Sequence, residues 1–152
     1  MSYAVIEAAV QTLLQALGQY GDADVTRGDW RVLDSGSGPY AVVYAGPFDV
    51  EEGGDWGQKV YAWTVYVEVF ERYLDNGTSE TNLETRVQNT VDQLCAYPTL
   101  DGASGVTLAM PVHADELRYV FDEQGGGPHF IMQRIAERVW ERVQYAGSGE
   151  FA

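Results

Sequence analysis

Cationic residues are scarce in this chain. Nine Lys and Arg stand against 23 Asp and Glu in 152 residues, a formal net charge of −14. A protein that gripped duplex DNA by its own surface would carry a basic patch, and this composition argues against one. Acidity on this scale favours solubility and a surface that does not stick to nucleic acid. There is a single cysteine, Cys95, which excludes an internal disulfide framework. It follows Leu94 at the end of a helical pattern, with no basic residue nearby in sequence to lower its pKa, so a buried structural thiol is expected. The two histidines, His113 and His129, have neither a Cys nor a second His at ligand spacing, and no zinc site is expected. No apolar stretch approaches the roughly 20 residues that a helix needs to cross a bilayer. No basic residue precedes Arg27, so a secretory signal peptide is not expected either.

Catalytic signatures are absent as well. His113-Ala114-Asp115 could orient an imidazole, but no Ser or Cys nucleophile motif accompanies it. The glycines at 125, 126 and 127 are not followed by the Lys-Ser/Thr of a phosphate loop. The acidic stretch 49–55 lacks the ligand alternation of an EF-hand loop and reads as a solvated surface loop. No enzymatic activity, metal or other cofactor is therefore expected.

What the chain does have is a folded composition, 45% hydrophobic and 12% aromatic, at a length that suits one domain spanning residues 1–152. Its most informative segment is 59–73, KVYAWTVYVEVFERY. Tyr61, Trp63, Val65, Val67 and Val69 alternate with positions that include Thr64, Glu68 and Arg72. Period-2 alternation of β-branched and aromatic residues predicts a strand. Strands usually run about 5–6 residues. One this long reaches beyond an ordinary small domain and suits an assembly part. Asn76-Gly77 then reads as a turn, and the period changes: Leu83, Val87, Val91 and Leu94 recur at helical spacing. Thr78 or Ser79 can cap that helix, and Pro98 stops it.

The rest of the chain predicts a first helix over 2–18, with Ile6, Val10, Leu13, Leu14 and Leu17 on one stripe and Gly18 closing it. A polar loop 22–29 and a short strand 30–33 follow. A second strand over 40–45 is ended by Gly46-Pro47, and 48–58 reads as a loop. Short strands are expected over 106–110 and 117–121. Segment 129–145 is ambiguous. Its apolar residues recur every four positions, as in a helix, yet its Phe, Ile, Val, Trp and Tyr content after Gly127-Pro128 suits a strand. As a strand it would set Glu137 and Glu141 on one face with Ile135, Val139 and Val143, which is poor for a monomer core and reasonable where a neighbouring subunit supplies counter-charges.

With Pro39-Tyr40-Ala41-Val42-Val43-Tyr44 ahead of the long strand and the Leu83, Val87, Val91, Leu94 helix after it, the chain resembles the tail-terminator (tail-completion) proteins of long-tailed bacteriophages. The resemblance is one of pattern and covers most of the chain. It implies an α+β fold: a mixed or antiparallel sheet, an N-terminal helix, and a second helix packed on one face. It implies that 129–145 is a strand, which we adopt. It also implies a virion protein, assembled in the host cytoplasm, that forms a ring of six copies. The ring caps the tail tube, joins it to the head-completion or connector protein, and lets DNA pass without holding it. The resemblance does not account for the length of the acidic loop. A closed ring needs two different complementary patches on each subunit. The candidates are Phe48 and Trp56, as aromatic anchors, and the mixed charges Glu68, Arg72, Arg134, Arg138 and Arg142. Asp49, Glu51, Glu52 and Asp55 are the candidate lining of the DNA channel, with Asp122 and Glu123 as a second acidic group. The alternatives are another ring of the head–tail neck and, less well supported, a small-molecule-binding α+β domain.

Overall fold

The computed structural model describes residues 1–28, 38–52, 58–121 and 128–144. The protein is α+β, with elements in the order α1 (Tyr3–Leu17), β1 (Val25–Arg27), β2 (Tyr40–Glu52), β3 (Gln58–Arg72), α2 (Asn76–Ala96), β4 (Leu108–Ala114), β5 (Arg118–Phe121) and β6 (Pro128–Gln144). The six strands make one sheet in the order β1-β2-β3-β6-β4, and β5 pairs with β6 beyond β4. Only β1 runs parallel to its neighbour. The ambiguous last segment is a strand, paired with β3 along the whole of β3.

Both helices lie on one face of this sheet. Residues directly opposite one another across a ladder share a face, so the pairings sort the side chains. Val65, Val67 and Val69 of β3 fall with Ile135 and Val139 of β6, with Ala41 and Val43 of β2, and with Ala109 of β4. These residues form one buried core with Ile6, Val10, Leu13 and Leu14 of α1 and Leu83, Val87 and Leu94 of α2. No helix of the described chain covers the opposite face. At one end of that face Tyr40, Phe70 and Phe130 make a second, small aromatic core, and the Phe130 ring stands 5.8 Å from Tyr40 and 6.4 Å from Phe70.

Helix ends follow local chemistry. The Ser2 hydroxyl caps α1 by accepting from Val5 N, and Gly18 closes it at φ 80°, a conformation that costs glycine nothing. Asp75 caps α2 by accepting from Thr78 N at 2.8 Å, while the buried Ser79 hydroxyl reaches back to Leu74 N at 2.7 Å and Asp75 N at 3.2 Å. Asn76 and Gly77 therefore open the helix instead of forming a turn before it, and neither Thr78 nor Ser79 is the cap. Cys95 is exposed, contrary to expectation. One residue on from the buried Leu94, it points about 100° around the helix and away from the sheet.

Three strand bounds also differ from expectation. β2 does not stop at Gly46-Pro47 but runs on to Glu52, so 48–52 is strand and not loop. A register shift between Ala45 and Phe48 absorbs the Pro. It is tolerated because β1 pairs with β2 only as far as Val43, so Pro47 sits at a sheet edge, where no donor is needed. β4 likewise runs through Pro111 to Ala114 with a shift between Pro111 and His113. β1 lies in what reads as a polar loop. The expected strand 30–33 lies outside the described residues.

Replacing the buried Val87 by Asp should abolish folding, because an unpaired charge in this core costs several kcal/mol against a typical total of about 5–15. Leu74→Asp, at an exposed position, should leave the melting temperature within a few degrees of the parent. Circular dichroism melts of the two variants test the assignment.

Candidate functional site

The uncovered face of the sheet gathers most of the residues singled out above. Successive rungs across β2, β3, β6 and β4 read Glu51–Val60–Arg142, then Asp49–Ala62–Trp140–Leu108, then Thr64–Arg138–Met110, then Tyr44–Tyr66–Ala136–His113, then Val42–Glu68–Arg134. Acidic groups stand on β2 and a column of arginines on β6. Between them β3 presents the small side chains Val60, Ala62 and Thr64. That gap lets Arg138 lie across β3: Nη2 donates to Asp49 Oδ2 at 2.9 Å and to Glu51 Oε1 at 3.4 Å, and Nη1 to Thr64 Oγ1 at 3.5 Å. Two of the four expected channel carboxylates are thus held by one of the expected interface arginines.

Arg134 is also held within the chain. Its Nε donates to Asp115 Oδ2 at 2.6 Å, and its guanidinium lies 4.1 Å from the centre of the Tyr66 ring. His113 Nε2 is 3.1 Å from the other Asp115 oxygen. Asp115 is the partner that sequence reasoning missed, because it comes from the link after β4. Glu68, opposite Arg134, is half-buried; burial lifts its carboxyl above the ordinary range, while the Tyr44 hydrogen bond and the Arg134 and Arg118 charges pull it down. Around these residues the face forms a cleft of about 290 Å³ lined by Tyr44, Glu68, Asp115, Glu116, Arg118, Met132 and Arg134. Three carboxylates and two guanidinium groups line it. Among the described residues no group of three His, Cys, Asp or Glu side chains could hold a metal ion.

Arg72 and Arg142 are exposed on the same face and make no ion pair among the described residues. With Arg118, Arg134 and Arg138, five of the nine Lys and Arg of the chain stand here. The negative charge is therefore unevenly spread, and the open face is mixed in sign. Phe48 does not belong to it. It stands on the helix side at the edge of the sheet, with ring centroids 4.6 Å from Trp63 and 5.2 Å from Tyr61, and Tyr3 meets Trp63 at 5.0 Å. Glu52 also points to that side, pairing with Lys59. Trp56, Asp55, Asp122 and Glu123 lie outside the described residues.

The mixed face of β6 is present, and one of its two carboxylates is met within the chain. Glu141 takes the amino group of Met1 at 3.1 Å. Glu137 is buried at 0% exposure between Ile135 and Val139, opposite Val65, and neither carboxylate oxygen has a partner among the described residues. Burial pushes its pKa up to about 8, so it is held as the neutral acid at neutral pH.

No protein-family model matches the chain, and no curated protein matches it. Among solved structures, the fold matches a chain from the virion of a native gene transfer agent (GTA) particle. The match covers 93% of this chain and 100% of that one, with a TM-score of 0.54 and 16% identity. At this identity the likeness is one of fold. A second solved chain reaches a TM-score of 0.45 at 15% identity, covering 91% of this chain and 96% of its own length, which is too distant to carry an argument.

Glu137 generates a pH prediction. The folded protein keeps its proton up to about pH 8, whereas the unfolded chain releases it near the ordinary 4.5. Between those values the folded state binds more protons, so stability falls as pH rises through the window. Glu137→Met should remove this component, so its gain in stability over the parent should be larger at pH 7 than at pH 4 by roughly 3 kcal/mol. Urea titrations of both proteins at the two pH values measure it; an equal effect at both would contradict the assignment.

Proposed function

We propose that the protein is a non-enzymatic structural component of a bacteriophage-type virion, and within it the tail terminator. In this role six copies form a ring that caps the tail tube and joins it to the head-completion or connector protein, with the genome passing through the hole. The observation that carries the reading is the whole-chain likeness of fold to a virion chain, which leaves no part of that neighbour unmatched. Two features of the molecule support it. The sheet has one face covered by helices and one uncovered, so the chain is sided, as a ring subunit must be. Its edges are dissimilar, the outer half of β2 on one side and β4 on the other, as a heterologous closed assembly requires.

Within this reading the acidic end of β2 borders the DNA path. Of the acidic residues of β2, Asp49 and Glu51 point from the uncovered face, and with Arg138 between them that spot keeps one net negative charge. Such a spot repels phosphate weakly at short range, which suits passage without binding.

Particles assembled without the protein should accumulate as separate heads and tails, and adding the purified protein should join them; normal particles in its absence would overturn the reading. Asp49→Lys with Glu51→Lys should still give rings but retain duplex DNA, with a retention that falls as salt is raised. Parent-level DNA passage and infectivity in that variant would remove these two side chains from the channel wall.

A further inference from the structure

Four of the nine exposed large apolar side chains on the described surface stand in pairs at the two opposite edges of the sheet, at the same height. On β2, Phe48 is 42% exposed and Val50 56%; on β4, Leu108 is 40% and Met110 41%. The register puts them level: Asp49, Ala62, Trp140 and Leu108 share one rung from edge to edge. The two patches point to opposite sides. Phe48 and Val50 stand on the helix side, beyond Tyr3, and Leu108 and Met110 stand with Trp140 on the uncovered side. One subunit cannot bring them together. A second copy, displaced sideways by one sheet width, can.

Both edges are blunted against simple strand addition, since each has a Pro and a register shift in its middle, Pro47 in β2 and Pro111 in β4. Contact must therefore be made by side chains, face over face. Charge selects the same arrangement. Two copies that each carry −14 repel one another, and a contact between them needs a local counter-charge. Arg142 supplies one: it is exposed one rung from Trp140 and makes no ion pair among the described residues. The tip of β2 carries Glu52 on the same side as Val50, paired with Lys59 of its own chain but with its side chain 81% exposed and open to a second cation.

We propose that the ring subunits overlap like shingles, with Phe48 and Val50 of one copy lying on Leu108, Met110 and Trp140 of the next and Glu52 facing that copy's Arg142. The proposal rests on the ring reading and adds to it which surfaces join. It also leaves Asp49 and Glu51, on the other side of the tip, turned away from the contact.

The test uses two single variants of the full chain, Val50→Asp and Met110→Asp, at exposed positions where the melting temperature should stay that of the parent. Each destroys one patch and keeps the other, so each alone should lower ring affinity by at least about 100-fold. Mixed in equal amounts they should form two-subunit species and nothing larger, by native mass spectrometry. Rings from either variant at the parent's concentration dependence would overturn the interface while leaving the ring reading in place. The same holds if both variants form rings yet fail to join heads and tails, because the patches then face another virion protein. A parent that stays monomeric at every concentration and in assembled particles would overturn both.

Discussion

The unbroken antiparallel pairing of β3 with β6, from Gln58 opposite Gln144 to Arg72 opposite Phe130, sets the position of every other element. Its inner stretch presents Val65, Val67, Val69, Ile131 and Ile135 to the helices and so defines the core. Its outer stretch is longer than the helices can cover. β2 on one side and β4 on the other inherit their register from this pair, and with it the level at which their exposed apolar residues stand. The same pairing places the arginine column of β6 across small β3 residues from the carboxylates of β2, which is why Arg138 can reach Asp49 and Glu51.

Glu137 shows that this ladder is not tuned for stability alone. A carboxyl with no hydrogen-bond partner among the described residues, in the middle of a core strand, is expensive even as the neutral acid. It lies opposite Val65 on β3 and Pro111 on β4, and the rung is the one at which both edge strands shift register. The coincidence links the least favourable point of the core to the places where the edges are blunted.

Much of the fold was legible because the alternation in 59–73 and the helical spacing of Leu83, Val87 and Leu94 each admit one reading. β6 was not, for a simple numerical reason: four is a multiple of two. Ile131, Ile135, Val139 and Val143 lie on one face of a strand as well as on one side of a helix, and the same holds for Arg134, Arg138 and Arg142. The outer half of β2 was hidden by Gly46-Pro47, which breaks a central strand but only shifts the register of an edge strand. Of the candidate site, the sequence named Arg134, Arg138, Asp49 and Glu51 but not how they pair. It offered the charges of β6 to a neighbouring subunit; Asp115, Asp49, Glu51 and the chain's own amino terminus meet Arg134, Arg138 and Glu141. Only tertiary proximity reveals that, because these partners come from three separate segments.

The central claim is that one sheet serves two purposes: its inner half is a domain core, and its outer half is finished only by a second copy. Amide hydrogen exchange along β2 and β4, followed from dilute monomer to assembled ring, tests it most directly. Amides at 41–43 should be protected in both states, since they pair with β1 or β3 inside the core. Those at 48–52, 108–110 and 112 should exchange much faster in the monomer and gain protection together on assembly. Equal protection in the two states, or a gain confined to one of the two segments, would contradict the account.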